Sequence, residues 1–298
     1  MKLSTNFITS LIKDEKPVYS VGNELLNIWF KSLEGSTDLR DFYYKGEEEA
    51  KSFEEFILKV YGEFYKHLAR TCVNEPCVLQ ESADASFIVL DGMSLREGVL
   101  IYKALRDEGY KTRINCGYSA IPSDTSSFRE KAGVFMGVFK AINNPKNIRL
   151  NADERFIWSQ FPDVMLDKIQ VGHTVISSLE EMYKTTETIV KEVVDTLEAD
   201  KILILSDHGY IRSEAGFWFT VGDDAKRRLQ EVFGSKRSIA IDDVDVEDLI
   251  KAGYVTDFGG YYLVNSRYVW PVSGRVSIYM HGGLSLMECI TPVIEVIK

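Results

Sequence analysis

A mostly parallel β-sheet sandwiched between helices is the fold that this sequence predicts. Short apolar runs at 87–91, 113–116 and 202–206 are each followed by a helical stretch. This alternation is typical of buried parallel strands joined by crossover helices. The apolar runs 276–280 and 290–297 can supply closing elements of the sheet. With 298 residues, the chain is long enough for one large α/β domain or a core with a smaller attachment.

The first 80 residues have a helical pattern. Apolar residues recur at intervals of three and four between Asn23 and Ala69, and an acidic run begins at Gly46. Intervals of three and four predict amphipathic helices. We therefore predict an N-terminal helical region over residues 1–80 and an α/β domain over residues 81–298.

A small cap is predicted within the second domain, over residues 235–270. This segment has an acidic helix start and two strand-like runs that flank the glycine pair 259–260. Its aromatic side chains could stack on nucleic acid bases, but packing in a small hydrophobic layer is the favoured interpretation. These aromatic residues are Tyr254, Phe258, Tyr261, Tyr262 and Trp270.

Composition and charge narrow the class of protein. The formal net charge of −10 opposes non-specific binding to nucleic acid or to an anionic membrane. No run approaches the roughly 20 apolar residues of a membrane span, and the first residues lack the features of a signal peptide. The four cysteines fall in no zinc-finger spacing. We expect a cytoplasmic protein that does not enter a membrane.

Candidate metal ligands follow three of the strand-like runs. Asp91, the pair Asp207 and His208, and His281 each stand directly after an apolar run. In an open parallel sheet the site lies at the carboxyl ends of the strands, where these residues would meet. Carboxylates and imidazoles are the usual ligands of zinc and manganese. Taken singly, each residue has a structural explanation, since Asp before Gly commonly forms a turn.

The distribution of histidines favours a site. The chain has only four histidines, and two of them, His208 and His281, end strand-like runs. A third, His173, follows Asp167 after six positions. The fourth, His67, lies inside a helical pattern and is predicted to be structural.

Five segments, taken in order, resemble the PglZ family, a branch of the alkaline phosphatase superfamily. The resemblance covers the chain from about Ser86 to the C-terminus, and the SDHG and HGGLS segments are its most specific parts. The segments are LDG at 90–92, IPSDT at 121–125, Asp167 with His173, SDHG at 206–209 and HGGLS at 281–285.

The resemblance implies a site with two divalent metal ions, zinc first and manganese next. One ion would be surrounded by three ligands and by the nucleophile Thr125, whose hydroxyl attacks phosphorus. Three further residues would hold the second ion. The first set is Asp91, Asp207 and His208, and the second is Asp167, His173 and His281.

Two assignments remain open at this point. The family's second Asp and His are usually four residues apart, whereas Asp167 and His173 are six apart and Asp163 is further away. A local bulge, a weak second metal or a carboxylate from elsewhere would each explain the difference. Ser123 is the alternative nucleophile, and the Ser/Thr-rich stretch would serve as a helix cap in either case.

Two arginines are candidate ligands of phosphate oxygens. Arg129 lies four residues after Thr125 on the predicted helix, and Arg96 lies just beyond Asp91. Guanidinium groups bind phosphate in a bidentate manner. Each arginine also has the simpler interpretation of a surface side chain on a helix.

The predicted function is that of a metal-dependent phosphoesterase. The resemblance implies phosphodiesters of nucleotides or short oligonucleotides as substrates and a phosphothreonine intermediate. A different class of function is a scaffold or regulatory module with structural metals, for example with protein partners in phage defence or signalling. Sulfate-ester hydrolysis and phosphomutase chemistry are further alternatives, although the sulfatase motif is absent around Thr125.

Overall fold

The structure is a computed structural model, and it describes residues 5–81, 84–134, 136–169, 175–213, 216–242, 244–272 and 277–298. None of the helices within these ranges combines the length and the apolar character that crossing a membrane requires.

Helices dominate the first part of the chain. The helices before the first strand are α1 (Thr5–Lys13), α2 (Pro17–Glu34), α3 (Leu39–Val60), α4 (Phe64–Asn74) and α5 (Val78–Glu81). The acidic run lies inside α3 and does not interrupt it. Gly46, at the start of this run, lies against α2, and a Cβ at this position would be 2.1 Å from the Trp29 ring. The two helices therefore pack closely where the sequence carries glycine.

The central sheet has six strands and is mostly parallel. Its strands are β1 (Ser86–Leu90), β2 (Lys111–Tyr118), β3 (Lys140–Ile142), β4 (Phe156–Ser159), β5 (Lys201–Ser206) and β11 (Ile290–Ile297). They lie in the order β2, β11, β5, β1, β4, β3. Among these six described strands, β11 alone runs opposite to the other five. The mixed α/β fold predicted from the alternating runs is confirmed.

Helices cover the sheet, and they share apolar cores with it. Four further helices are α6 (Leu95–Asp107), α7 (Thr125–Ala132), α8 (Asp163–Ile169) and α9 (Val175–Thr196). Side chains of α6 and α9 pack with β1, β5 and β11 in one buried cluster. The largest cluster joins α1 to α4 with α6 and with residues just before β11. The N-terminal helices thus share their core with the α/β part of the chain.

A small antiparallel sheet lies within residues 238–264. Its strands, β7 (Ser238–Ala240), β8 (Val255–Phe258) and β9 (Tyr261–Val264), pair in the order β7, β9, β8. Helices α10 (Asp223–Phe233) and α11 (Glu247–Lys251) pack on it. Trp270 is buried in this layer, and Tyr254 and Tyr262 are partly buried in it. These three aromatic residues pack as the favoured interpretation expected, whereas Phe258 and Tyr261 pack against the largest cluster.

The remaining elements surround the ends of the central strands. They are β6 (Ile211–Arg212), β10 (Tyr279–Met280) and the single turn α12 (Leu286–Cys289). β6 and β10 form a two-stranded antiparallel ribbon separate from the main sheet. The loop of residues 281–285 between β10 and α12 is called the His281 loop below.

Candidate active site

Three candidate metal ligands converge where two central strands end. Asp91 follows β1, and Asp207 and His208 follow β5, which pairs with β1 in parallel register. One ligand atom from each of the three lies within 4.8 Å of the others. Asp207 and His208 are buried and Asp91 is half-buried. The strand ends therefore bring together two carboxylates and an imidazole.

Thr125 places its hydroxyl at the centre of these three side chains. It is the first residue of α7, and the preceding Asp124 caps the helix by accepting the N–H of Ser127 at 2.8 Å. Thr125 Oγ1 donates to Asp207 Oδ2 at 2.6 Å. The same oxygen lies 3.3 Å from Asp91 Oδ1 and 3.5 Å from His208 Nε2.

Backbone contacts fix the orientation of the ligands. Asp207 Oδ1 accepts the N–H groups of Gly92 at 3.0 Å and of His208 at 2.9 Å, which leaves Oδ2 for Thr125. The ring Nδ1 of His208 lies 2.9 Å from the carbonyl oxygen of Gly209. Because a carbonyl accepts only, Nδ1 must carry a proton, so the neutral ring would present the lone pair of Nε2 to the cluster.

The electrostatics of the cluster fit a divalent cation. Burial and the nearby Asp207 and Asp163 raise the pKa of Asp91 to about 8. Burial alone would lower the pKa of His208, but Asp207 and other neighbours outweigh it and raise that pKa. Carboxylates gathered in a partly buried site repel one another unless positive charge compensates them. Oxygen and imidazole donors of this kind match zinc and manganese.

Without metal, the protein should lose stability as the pH rises from 6.5 to 8. The pKa of Asp91, about 8 in the fold, compares with about 3.9 in an unfolded chain. The folded state then binds more protons than the unfolded state in this window, so the free energy of unfolding falls with increasing pH. Thermal unfolding in chelator should give a lower midpoint at pH 8 than at pH 6.5.

The variant Asp91→Asn is the control for this pH dependence. Its unfolding midpoint should fall less between pH 6.5 and pH 8. Between pH 4 and 6.5 the lowered pKa of His281, about 4, acts in the opposite direction. The comparison is therefore made above that range. Equal drops in the natural sequence and in Asp91→Asn would contradict the assignment of this titration to Asp91.

His281 lies against the first cluster. Its ring stacks on that of His208, with centroids 4.2 Å apart and planes inclined by 17°. Desolvation and the nearby His208 lower the pKa of His281 to about 4, so the imidazole is neutral at physiological pH. His281, Asp163 and Asp167 line one cavity of about 170 Å³. His173 lies outside the described residues.

Asp163 is a candidate ligand that the sequence interpretation set aside. It begins α8, and its backbone N–H donates to the carbonyl oxygen of Asp91 at 3.1 Å. Burial raises the pKa of Asp163 to about 6, with His208 opposing and Asp167 adding to the rise. Asp163 and Asp167 are four residues apart, which places both on one helix face. That spacing was the signal in the sequence that could have identified it.

Ser123, the alternative nucleophile, is engaged in structural contacts. Its side chain is fully buried. The hydroxyl donates to the carbonyl oxygen of Gly283 at 2.8 Å and accepts the N–H of Gly282 at 3.1 Å. Ser123 therefore ties the His281 loop to the segment before α7, and Thr125 is the hydroxyl that faces the cluster.

The prediction that Arg96 binds substrate is wrong. Its side chain is fully buried, and its guanidinium pairs with Glu47 and lies 4.1 Å from the centre of the Tyr210 ring. A phosphate at Thr125 therefore cannot reach it. Arg129 is exposed and lies over the ring of Trp158, with 5.4 Å between the guanidinium carbon and the ring centre. Its role in substrate binding stays a prediction.

Comparison with known proteins gives one matching family. Residues 151–296 match the model of the BREX system PglZ alkaline phosphatase-like domain. A curated relative, the alkaline phosphatase-like protein PglZ of Bacillus cereus (strain H3081.97), is 24% identical over 201 residues. The match covers 65% of this chain but only 22% of that relative, so the chain spans about a fifth of the relative's length.

Solved structures to which this chain is similar include the phosphonoacetate hydrolase of Sinorhizobium meliloti 1021. Its complex with phosphonoformate superposes with a TM-score of 0.41 at 13% identity. Its complex with phosphonoacetate gives a TM-score of 0.40 at 12% identity. Each superposition covers 71% of this chain and 89% of that chain.

Proposed function

This chain belongs to the PglZ family of the alkaline phosphatase superfamily, and from that premise we propose that it is a metal-dependent phosphodiesterase with Thr125 as nucleophile. The observation that carries the proposal is the position of the Thr125 hydroxyl. It stands 2.6 Å from Asp207 Oδ2 and 3.5 Å from His208 Nε2, within the cluster that fits a divalent ion.

The chain's own groups account for the first half of the reaction. Thr125 Oγ1 attacks phosphorus, and an O–P bond forms as the bond to the leaving oxygen breaks. The hydroxyl proton leaves toward Asp207 Oδ2, to which it is already hydrogen-bonded. The start of α7 presents free N–H groups and the positive end of the helix dipole to the phosphoryl oxygens. The leaving oxygen takes up a proton, which balances the one that Thr125 has lost, and the products are an alcohol and a phosphothreonine that still carries one ester group.

Water completes the reaction by attacking the phosphothreonine, which releases the monoester and restores Thr125. A divalent ion held by Asp91, Asp207 and His208 would supply Lewis acidity that stabilises negative charge on the threonine oxygen. His281, neutral because its pKa is lowered to about 4, offers a second imidazole on the adjacent side. The cluster of Asp91, Asp207 and His208 would thus lie on one side of phosphorus, and His281 on the other.

For a second ion we propose the ligands Asp163, Asp167 and His281. All three line the same cavity, and the first two share one face of α8. Asp163 and Asp167 are four residues apart, the spacing that the family usually has between an Asp and a His, but here the second residue is also an Asp. The two carboxylates and one imidazole proposed for the second ion are the same donor types as in the first cluster. We therefore propose the same ions for both positions, zinc first and manganese next.

The charges around Thr125 favour a diester over a monoester. The carboxylates of Asp91 and Asp207 lie beside the Thr125 hydroxyl and add negative charge where the phosphoryl group would bind. Within the described part of the chain, Arg96 is buried elsewhere and Arg129 lies over an aromatic ring. A monoester brings two negative charges that would call for additional cations, whereas a diester brings one. We therefore propose diesters of nucleotides or short oligonucleotides.

The substrate proposal is tested by comparing two chromogenic esters with metal supplied. We expect kcat/KM for bis(p-nitrophenyl) phosphate to exceed that for p-nitrophenyl phosphate, because the carboxylates of Asp91 and Asp207 beside Thr125 disfavour a second negative charge. A preference for the monoester would contradict the diester assignment while leaving a phosphoesterase. Hydrolysis of neither ester, and of no dinucleotide, would favour a scaffold or regulatory module with protein partners in a defence or signalling system.

A further inference from the structure

Buried charges connect the N-terminal helices with the surroundings of the site. Besides Asp207 in the site, seven charged residues of the described part of the chain have no more than 1% of their surface exposed. Taking charges out of water is costly, and buried ion pairs seldom add stability relative to apolar side chains of the same size. So many buried charged side chains point to a role in holding the surrounding backbone in one conformation. The members are Glu47, Glu54, Arg96, Glu97, Arg237, Arg267 and Glu288.

Two of these carboxylates hold the backbone of the His281 loop and the residue that follows it. Glu54 on α3 accepts the N–H of Leu286 at 2.9 Å. Glu288 on α12 accepts the N–H of Gly283 at 2.9 Å. The loop is irregular backbone, so these contacts replace the hydrogen bonds that a strand or helix would supply. One of the two anchors comes from the N-terminal helical region.

Each anchoring carboxylate is itself held by an arginine. Arg267 Nε donates to Glu54 Oε2 at 2.9 Å. Arg237 donates from Nε and Nη2 to the two oxygens of Glu288, at 2.7 and 2.9 Å. Arg237 also packs on Gly283, where an added Cβ would lie 2.7 Å from Nε. The arginines therefore orient both carboxylates independently of the contacts with the loop.

We propose that Glu54 is a positioning residue for His281, and that the N-terminal helical region thereby completes the active site. The segment that matches the family, residues 151–296, does not include α3. The proposal rests on the proposed function in one respect, which is that His281 acts in the site. The anchoring itself is a property of the fold and can be measured without turnover.

Glu47 provides a matched control for Glu54. It lies on the same helix, is equally buried and also pairs with Arg267, at 2.7 Å. Its carboxylate contacts are with Arg267 and Arg96, and they do not include the His281 loop. Glu54→Gln and Glu47→Gln therefore remove the same charge from the same arginine. Only Glu54→Gln weakens the contact with Leu286. The amide has one acceptor oxygen, so it cannot accept from both the Leu286 N–H and Arg267.

The experiment uses the full chain labelled with ¹⁵N-histidine and studied by NMR without metal. Four histidines give four sets of ring signals, and those of His281 are assigned with the variant His281→Gln. We expect the His281 signals to shift and broaden in Glu54→Gln. They should stay as in the natural sequence in Glu47→Gln, and the signals of His67 on α4 should not move in either.

Kinetics with metal supply a second readout. Glu54→Gln should lower kcat by about 10- to 100-fold with little change in KM, whereas Glu47→Gln should retain kcat. Equal changes in the His281 signals of both variants, or no change in either, would overturn the positioning role. If Glu54→Gln does not fold, Glu54→Asp makes the same comparison, because it keeps the charge but withdraws the carboxylate from Leu286. A chain without turnover would refute the proposed function, and the NMR result would still decide this inference.

Discussion

Replacing Thr125 with alanine should abolish ester hydrolysis while metal binding is largely retained. The hydroxyl is the nucleophile of the proposed reaction, and loss of a nucleophile typically lowers kcat by roughly a thousandfold or more. The three ligands of the first ion, Asp91, Asp207 and His208, are untouched by this change. The helix should also survive, because its cap is Asp124. Turnover and elemental analysis of the same sample measure both parts of this prediction.

Ser126→Ala is the matched control for Thr125→Ala. Ser126 is the next residue on α7 and is exposed. Removing its hydroxyl perturbs the same helical turn without reaching the cluster, so turnover should be unchanged. Full turnover in Thr125→Ala would refute the nucleophile, since the neighbouring Ser123 hydroxyl is buried and engaged by the His281 loop.

Arg267→Leu should be the most destabilising of the substitutions considered. The arginine is fully buried and pairs with Glu47 at 2.7 Å and with Glu54 at 2.9 Å. Its removal leaves two carboxylates in the interior without their cation. Breaking a buried pair in this way costs about 3–5 kcal/mol of the free energy of unfolding. Urea denaturation of the metal-free chain measures the change.

Arg228→Leu removes the same kind of side chain from the surface. Arg228 pairs with Asp248 at 3.2 Å and with Glu231 at 3.0 Å, and these partners are exposed. Exposed pairs contribute about 0–1 kcal/mol, so the free energy of unfolding should change little. Similar losses in both variants would mean that the buried network is not what stabilises the junction between α3 and the core.

The strand ends of the site were predictable from sequence for a physical reason. Strands buried on both faces are continuous apolar runs, so the first polar residue marks the carboxyl end of the strand. This located Asp91 after β1 and Asp207 with His208 after β5. The parallel register of β1 and β5 then brings these ends together. One local pattern thus predicted both the sheet and the meeting of the residues at its edge.

The position of β11 was not predictable in the same way. The run 290–297 was expected to close the sheet, yet it lies between β2 and β5 and runs antiparallel to both. An apolar run carries no information on strand direction or neighbours. Those depend on the path of the whole chain, including the ribbon of β6 and β10.

The partners of buried charged residues were also not predictable from sequence. Arg96 follows Asp91 closely and was assigned to substrate, but its partner Glu47 lies 49 positions earlier. Asp163 was set aside because it lies further from His173 in sequence than Asp167 does, although α8 places Asp163 beside Asp91. In both cases the deciding contact is distant in sequence, and residue type alone favours an exposed position for a charge.

The central claim is that metal bound by this chain drives phosphodiester hydrolysis. The most direct test counts zinc and manganese per chain and measures bis(p-nitrophenyl) phosphate hydrolysis in the same sample, before chelation, after chelation and after each metal is restored. We predict about two ions per chain, loss of turnover on chelation, and recovery when metal returns. A chain that takes up neither metal, or that hydrolyses the ester equally well after chelation, would contradict the claim.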